Sequence, residues 1–284
     1  MDSFFLLSVA LAIAASLSLN VGKGVQKWKV RVLGAGRLAF TPPHRRDLAI
    51  WAAGVGLTTV ASVLYSLALK FSDKPSIVSS LNGVGLIGLV LFAWAVLREP
   101  IGQKELGGAG CVLAGAFVVG YFDTPIGHAQ EYSLHGFALG ALGVVAVFGP
   151  LVLFSVRTRR MHGFTFGALA GVLIGMGMLL GDIALLRAGN DFFAQLRYPY
   201  PYAAVGIGTI ALAFTQVAFW RSTAMVVVPT VSSFMILAPI AFEYLTFGTL
   251  LAPLQYAAVA VIIGGVVLLT TGEANGRSAE VAGQ

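Results

Sequence analysis

Residues 133–156 read SLHGFALGALGVVAVFGPLVLFSV, a run of 24 residues without an Asp, Glu, Lys or Arg. As an α-helix this run is about 36 Å long at 1.5 Å per residue, which exceeds the roughly 30 Å hydrocarbon core of a bilayer. A helix on the surface of a soluble domain needs a polar face, and this run has none. It therefore predicts a helix that spans a membrane.

Similar runs dominate the rest of the chain. Hydrophobic residues make up 57% of its 284 residues and charged residues only 11%, against roughly 25% charged in an ordinary soluble domain. We therefore predict an all-α, polytopic bundle of about nine transmembrane helices in a lipid bilayer. The predicted spans are 3–22, 48–70, 75–97, 103–121, 133–156, 163–186, 201–220, 222–247 and 249–271.

The net charge of +6 lies mainly in the connections between these runs. Fourteen of the eighteen basic residues fall on one side of the predicted membrane, and the longest basic connection is 23–46. Because the side richer in Lys and Arg is cytoplasmic, the N-terminus is predicted outside and the C-terminus in the cytoplasm, in a plasma or bacterial inner membrane. Anionic lipid headgroups account for the charge, so no nucleic-acid partner is predicted.

The succession of helices repeats at an offset of 150 residues. Residues 67–120 then overlie 217–270 without a gap, and each stretch is a helix pair with a very short break. The offset covers five predicted helices, an odd number, so the second half is inverted relative to the first, an arrangement suited to alternating access. We predict one repeat at 1–157, an inverted repeat of four helices at 158–272, and a disordered cytoplasmic tail at 273–284.

Four stretches of the chain form a recognisable set: YSLALKFSDKPSIVSSLNGVG from Tyr65, LREPI from Leu97, GGAGCVLAG from Gly107 and VPTVSSF from Val228. They resemble the drug/metabolite transporter superfamily, and the resemblance covers about residues 1–272. In that superfamily a glutamate commonly closes the third helix and a glycine-rich helix follows. The resemblance therefore implies a gate or structural role for Glu99, whereas the residues alone favour a local ion pair with Arg98.

Within the superfamily, nine helices and a basic first loop look most like the NIPA-type magnesium-transporter branch. That branch often has a glutamate in its second helix, where this chain has TTVAS from Thr58. A divalent cation binds several oxygen ligands, usually including carboxylates, so this departure weakens the magnesium interpretation. EamA-type exporters of organic metabolites are the other relatives that the resemblance implies.

Two carboxylates fall within predicted spans, Asp182 and Glu243. Ionisable groups inside a membrane are costly and are candidates for function. Each could exchange protons, or hold a cation or an amine. Alternatively they are interfacial acids that reach water, with Asp182 paired to Arg187. Whether they bind a metal, a proton or neither stays open.

Uncharged polar residues complete the predicted substrate path. Asn82 lies about 10 Å into the third span at 1.5 Å per residue, and Pro229 interrupts the hydrogen-bond ladder of the eighth span, which frees carbonyls that can contact a solute. The alternative is that the hydroxyl groups bond to their own helices and Pro229 only kinks its helix. The other members of the path are Ser79, Ser80, Thr230, Ser232 and, more weakly, Gln216, which can equally join helices.

Glycines recur every fourth residue along the sixth span. Such a strip lets a second helix approach closely, and it can serve internal packing or a homodimer equally well. The strip consists of Gly163, Gly167, Gly171 and Gly175.

Enzyme motifs are missing from the sequence. No Gly-x4-Gly-Lys-Ser/Thr phosphate loop and no Gly-x-Ser-x-Gly elbow occurs, and the four histidines lack metal-ligand spacing. We predict no catalytic residue and no cofactor. The predicted function is secondary transport of a small polar or charged solute by alternating access; magnesium transport and a non-transporting scaffold or accessory subunit are the alternatives.

Overall fold

The structure, a computed structural model, describes residues 3–34, 41–72, 78, 80–122, 133–158, 161–189, 191, 193–248 and 250–282, without the side chains of residues 3, 42, 43, 82, 247 and 272–282. Within these residues the fold is all-helical, as predicted. The nine α-helices found there are α1 Ser3–Lys29, α2 Pro42–Lys70, α3 Gly85–Phe92, α4 Gln103–Tyr121, α5 Leu134–Thr158, α6 His162–Arg187, α7 Tyr200–Arg221, α8 Ala224–Phe247 and α9 Pro253–Ala282.

Seven of the helices in the described residues are long and apolar enough to cross a membrane. This confirms the predicted polytopic helix bundle. The seven apolar stretches are Phe4–Gly34, His44–Lys70, Leu134–Thr158, His162–Arg187, Tyr200–Arg221, Ala224–Thr246 and Pro253–Thr271.

The third and fourth predicted spans do not reach this length and apolarity. The described part of the third consists of a 3-10 turn at Leu81–Gly83, then α3, then a π-helix at Ala93–Leu97. Its apolar helical stretch, Gly85–Leu97, is short. Helix α4 has the predicted bounds, but Lys104 and Glu105 in its first turn make it less apolar.

Three of the predicted span ends, at residues 22, 48 and 271, fall inside longer helices. Helix α1 continues to Lys29 and α2 already begins at Pro42, so the predicted connection 23–46 is helical at both ends. Hydropathy placed these ends where charges begin, although a charge does not stop a helix. Proline at the first helical position is favourable, because its missing N–H has no partner to lose there. Helix α9 runs to Ala282, beyond the last predicted span at 249–271, where alanine, glutamate and arginine favour helix. The predicted disorder of 273–284 stays a prediction.

The chain forms two compact units. The first unit comprises Met1–Thr124, Phe219–Pro229 and Pro253–Gln284, and the second comprises Pro125–Ala218 and Thr230–Ala252. These units are defined by packing, whereas the predicted repeats at 1–157 and 158–272 were defined by the order of helices. The repeats therefore stay a prediction.

Close helix contacts organise the first unit. Helix α1 packs along α2, and α4 packs along α9. A Cβ at Gly22 would lie 2.9 Å from the carbonyl oxygen of Gly54, and one at Gly108 would lie 2.7 Å from that of Gly265. Glycine is needed at these points because the two backbones touch.

The second unit has an apolar core to which α5, α6 and α8 contribute. Phe148, Leu179 and Phe242 are buried there. All four glycines of the predicted strip are buried in α6. Gly171 and Gly175 lie against α8, since added Cβ atoms would meet Val231 O at 2.5 Å and Pro239 Cδ at 2.6 Å.

We predict that Gly171→Ala lowers the thermal unfolding temperature of the purified protein. The added methyl would overlap the backbone of α8, and such overpacking costs about 1–3 kcal/mol. Gly181→Ala is the matched control on the same helix, because a Cβ there meets nothing within 4 Å. It should keep or raise the unfolding temperature, since alanine favours a helix over glycine by up to about 1 kcal/mol. Equal unfolding temperatures for the two variants would contradict this packing.

Candidate functional site

Helix α1 carries a line of polar side chains on its buried face. Ser16, Asn20 and Lys23 follow one another at spacings of four and three residues, which places them on one side of the helix. Ser8 and Gln26 are also buried. This α1 polar face is unusual, because the rest of the helix up to Val21 is apolar apart from Ser3 and Ser18.

The part of the α1 polar face nearer the N-terminus, at Ser16 and Asn20, contacts the beginning of α3. The backbone N–H of Gly85 donates to Ser16 Oγ at 2.7 Å, and Asn20 Nδ2 donates to the carbonyl oxygen of Ser16 at 3.0 Å. A Cβ at Gly85 would overlap the Ser16 backbone. Glycine at this position therefore lets the two helices touch at their polar groups.

The part of the face nearer the C-terminus of α1, at Gln26, contacts the middle of α2. Gln26 Nε2 donates to Gly54 O at 3.3 Å and to Thr58 Oγ1 at 3.4 Å. Thr58 lies twelve residues before the end of α2 at Lys70, about 18 Å away at 1.5 Å per residue. The polar groups of α1 at this level are therefore far from either end of the apolar helix α2.

Three lysines near the end of α1 have different surroundings. Lys29 forms an ion pair with Asp47, with Nζ 2.7 Å from Oδ1. Lys27 Nζ donates to the carbonyl oxygens of Phe219 at 2.5 Å and Ser222 at 2.6 Å.

Lys23 is only 5% exposed, and within the described structure its buried Nζ has no hydrogen-bond partner. The same is true of Asn20 Oδ1, three residues earlier. An orphan donor and an orphan acceptor thus lie on one helix face. Buried polar groups are normally paired, so this pair marks the candidate site.

Lys27 is also part of the joint between α7 and α8, which are separated only by Ser222 and Thr223. On the other side of the joint, Glu99 Oε1 accepts from the backbone N–H of Ala224 at 2.8 Å and Oε2 from that of Met225 at 3.3 Å. A cation at a helix C-terminus and an anion at a helix N-terminus both complement the helix dipole. Both ends of the joint are therefore capped by charged side chains.

A strained turn positions the Glu99 carboxylate. Arg98 has a left-handed backbone with φ 54°, a conformation that costs roughly 1–2 kcal/mol for a residue other than glycine. The next N–H, that of Glu99, donates to Ala93 O at 3.1 Å and ends the π-helix. The sequence resemblance implies a gate or a structural role for Glu99. Its contacts with the first N–H groups of α8 are structural, because they cap that helix.

The predicted polar start of the third span lies near the α1 polar face. Ser80 is buried, and the 3-10 turn Leu81–Gly83, which contains Asn82, packs against α1. The side chain of Asn82 and the whole of Ser79 lie outside the described residues.

The remaining predicted path residues lie on other helices. Pro229 lies in the first unit, and α8 runs through it as one helix, although it cannot donate to the carbonyl of Met225. Gln216, Thr230 and Ser232 are buried and belong to the second unit. Within the described residues, Thr230 Oγ1 has no hydrogen-bond partner.

The two predicted acids lie on different helices of the second unit. Asp182 on α6 is exposed and Glu243 on α8 is partly exposed. No group of three His, Cys, Asp or Glu side chains is placed to hold a metal ion in the part of the chain that is described.

Sequence reasoning missed Asn20 and Lys23. The predicted first span ends at residue 22, so Lys23 falls in the basic connection 23–46, predicted either to lie in the headgroup region or to be a solvated loop. The spacing of Ser16, Asn20, Lys23 and Lys27, four, three and four residues apart, is the signal that would have found the face. Their burial is visible only in the packed structure.

Comparison with known proteins gives no neighbour: no family model, curated protein or solved structure matches the chain. Arguments about function therefore rest on the residues of the chain itself.

We predict that Glu99→Ala destabilises the protein by about 1–2 kcal/mol, because it removes the cap of α8. Glu99→Gln keeps an acceptor oxygen but loses the charge, and its effect should be smaller. Unfolding in detergent, followed by tryptophan fluorescence, measures the order wild type, Gln, Ala. An alanine variant as stable as the wild type would show that the cap is unimportant.

Proposed function

We propose that the chain is a secondary transporter, which carries a small polar or charged solute across a membrane. The observation that carries this proposal is the α1 polar face, whose buried donor and acceptor have no partner in the described part of the chain. Removing such groups from water without a partner costs free energy. In a membrane protein they are candidates for the path of a solute.

A protein with only a scaffold role has no use for unsatisfied polar atoms inside its helices. Apolar or fully bonded residues at Asn20 and Lys23 would pack better, since buried unsatisfied groups weaken a fold. The costly atoms are more readily explained if they are satisfied in another state, when the solute is bound. This argument favours transport over the scaffold alternative.

The proposed source of energy for transport is an ion or solute gradient, because the sequence has no phosphate loop for ATP. We propose that the solute crosses by alternating access between the inverted repeats 1–157 and 158–272. We also propose that the chain is a member of the drug/metabolite transporter superfamily, with its N-terminus outside and its C-terminus in the cytoplasm. Magnesium is the alternative cargo, weakened by the sequence TTVAS from Thr58, where the resembled branch often has a glutamate.

The test is flux in proteoliposomes containing the purified protein, with and without a pH gradient. A panel of phosphate, small carboxylates, amino acids, amines and magnesium covers the solute classes. We expect the wild type to move at least one of them at ten times the rate of protein-free vesicles. Asn20→Leu should reduce that flux at least tenfold, since it removes the orphan acceptor from the α1 polar face.

Thr59→Val is the control for this experiment. Thr59 is exposed on α2 and bonds only within its own helix in the described contacts, to Val55 O, so the variant should transport like the wild type. Folded wild-type protein that moves nothing on the panel would favour the scaffold. Full transport by Asn20→Leu would show that the path lies elsewhere.

A further inference from the structure

We infer that Lys23 is an anion-binding residue, and that the transported solute carries a carboxylate or phosphate group together with a hydroxyl or amino donor. This inference rests on the proposed transport function and adds the chemical class of its substrate. It depends on three features: the burial of the Lys23 ammonium group, the engagement of nearby carboxylates, and the orphan oxygen of Asn20.

Burial separates Lys23 from the other two lysines of α1. A lysine in a membrane helix usually extends its long side chain until the ammonium group reaches water. Lys23 does not, since its Nζ is buried. Its neighbour Gly22 packs on Gly54 and Thr58, near the middle of α2, while Gly24 packs on the ring of Phe92. Close helices on both sides keep this turn of α1 away from the surface.

In the described residues, the carboxylate that pairs with the end of α1 and the carboxylate at the joint between α7 and α8 are both engaged with groups other than Lys23. Asp47 pairs with Lys29, and Glu99 caps α8. Lys27 on the same face is a cation that already bonds to the joint between α7 and α8. The other described polar groups of the face, those of Ser16, Asn20 and Gln26, are uncharged. A buried ammonium group without a counter-ion is unfavourable, so an anion that enters here is stabilised by the charge it meets.

Asn20 adds a requirement for a second group. Its Nδ2 is used on Ser16 O, but its Oδ1 has no partner in the described structure and accepts hydrogen bonds only. Residues three apart on a helix have Cβ atoms about 5–6 Å apart. A solute of a few atoms, with an oxyanion at one end and an O–H or N–H donor near it, satisfies both residues together.

The test is equilibrium binding to the protein in phosphatidylcholine nanodiscs, measured by calorimetry. Inorganic phosphate, L-lactate and L-malate are the probes that carry both groups. Propionate and succinate are matched probes without the hydroxyl, and ethanolamine is the cationic control. We expect the wild type to bind at least one of the first three, and to bind lactate or malate at least fivefold more tightly than its matched probe.

Variants separate Lys23 from the general positive charge of α1. Lys23→Met should weaken binding of the preferred anion at least tenfold, whereas Lys23→Arg should stay within tenfold of the wild type. Lys29→Met, which removes a lysine already paired with Asp47, should leave binding unchanged. Asn20→Leu should abolish the preference for the hydroxylated probe.

Thermal unfolding of the Lys23→Met variant distinguishes a loss of anion binding from a loss of the folded state. Lys23→Met replaces a buried ammonium group by an apolar side chain of similar length, so it should unfold at or above the wild-type temperature. A lysine with a purely structural role would give the opposite result. Greater stability together with weaker anion binding is therefore the expected signature of a binding residue.

Several outcomes overturn the inference: no binding of any anion by the wild type, equal binding by Lys23→Met, or tighter binding of ethanolamine than of the anions. Stabilisation by nanodiscs with phosphatidylglycerol, without binding of soluble anions, would assign the ammonium group to a lipid phosphate and overturn it too.

Flux distinguishes the inference from the proposed function on which it rests. Anion binding that depends on Lys23, without flux of any solute, would leave the inference standing and contradict transport. Flux of a cation that is unaffected by Lys23→Met would support transport and contradict the inference.

Discussion

The capped joint between α7 and α8 is the interaction on which the first unit depends. A helix inside an apolar environment cannot leave its terminal N–H and C=O groups to water, and here the chain interrupts its helix for only two residues. Lys27 satisfies carbonyl groups at the end of α7, and Glu99 satisfies N–H groups at the start of α8. Lys27 of α1 and Glu99, at the end of the third predicted span, therefore both bond to the short joint between α7 and α8. The cation lies at a helix C-terminus and the anion at a helix N-terminus, as the helix dipole favours.

Anchoring Lys27 also determines which way the rest of α1 faces. Lys23, Asn20 and Ser16 lie about one, two and three turns before it on nearly the same side of the helix, because residues four and three apart share a face. Close contacts at Gly22, Gly24 and Gly85 then prevent the helix from turning about its axis without collision. The burial of Lys23 is therefore a consequence of helix phase and of glycine contacts, and not of any attraction that the ammonium group itself experiences in the described structure.

The sequence predicted the helices well and the polar site poorly, for separate reasons. Long apolar runs such as 133–156 must form helices if they cross a membrane, so the bundle follows from hydropathy. Hydropathy also treats every lysine as the end of a span, which assigned Lys23 to a loop. The partners of Lys27 and Glu99 lie more than a hundred residues away along the chain, so no local sequence pattern predicts these contacts. Asp182 and Glu243 were chosen because they are acids in apolar runs, yet they are more exposed than the uncharged Asn20.

Burial is therefore a better guide than charge to where a polar solute meets this protein. An exposed acid at a helix surface can be satisfied by water or headgroups, and its presence costs little. The α1 polar face has no such outlet, since its orphan atoms are enclosed by helices and their neighbours on the face are already bonded. Groups that cost stability in the empty state, and that are complementary to a ligand, are best explained by the state in which the ligand is present. The lysine and the asparagine of α1 meet that description more fully than any acid in the described part of the chain.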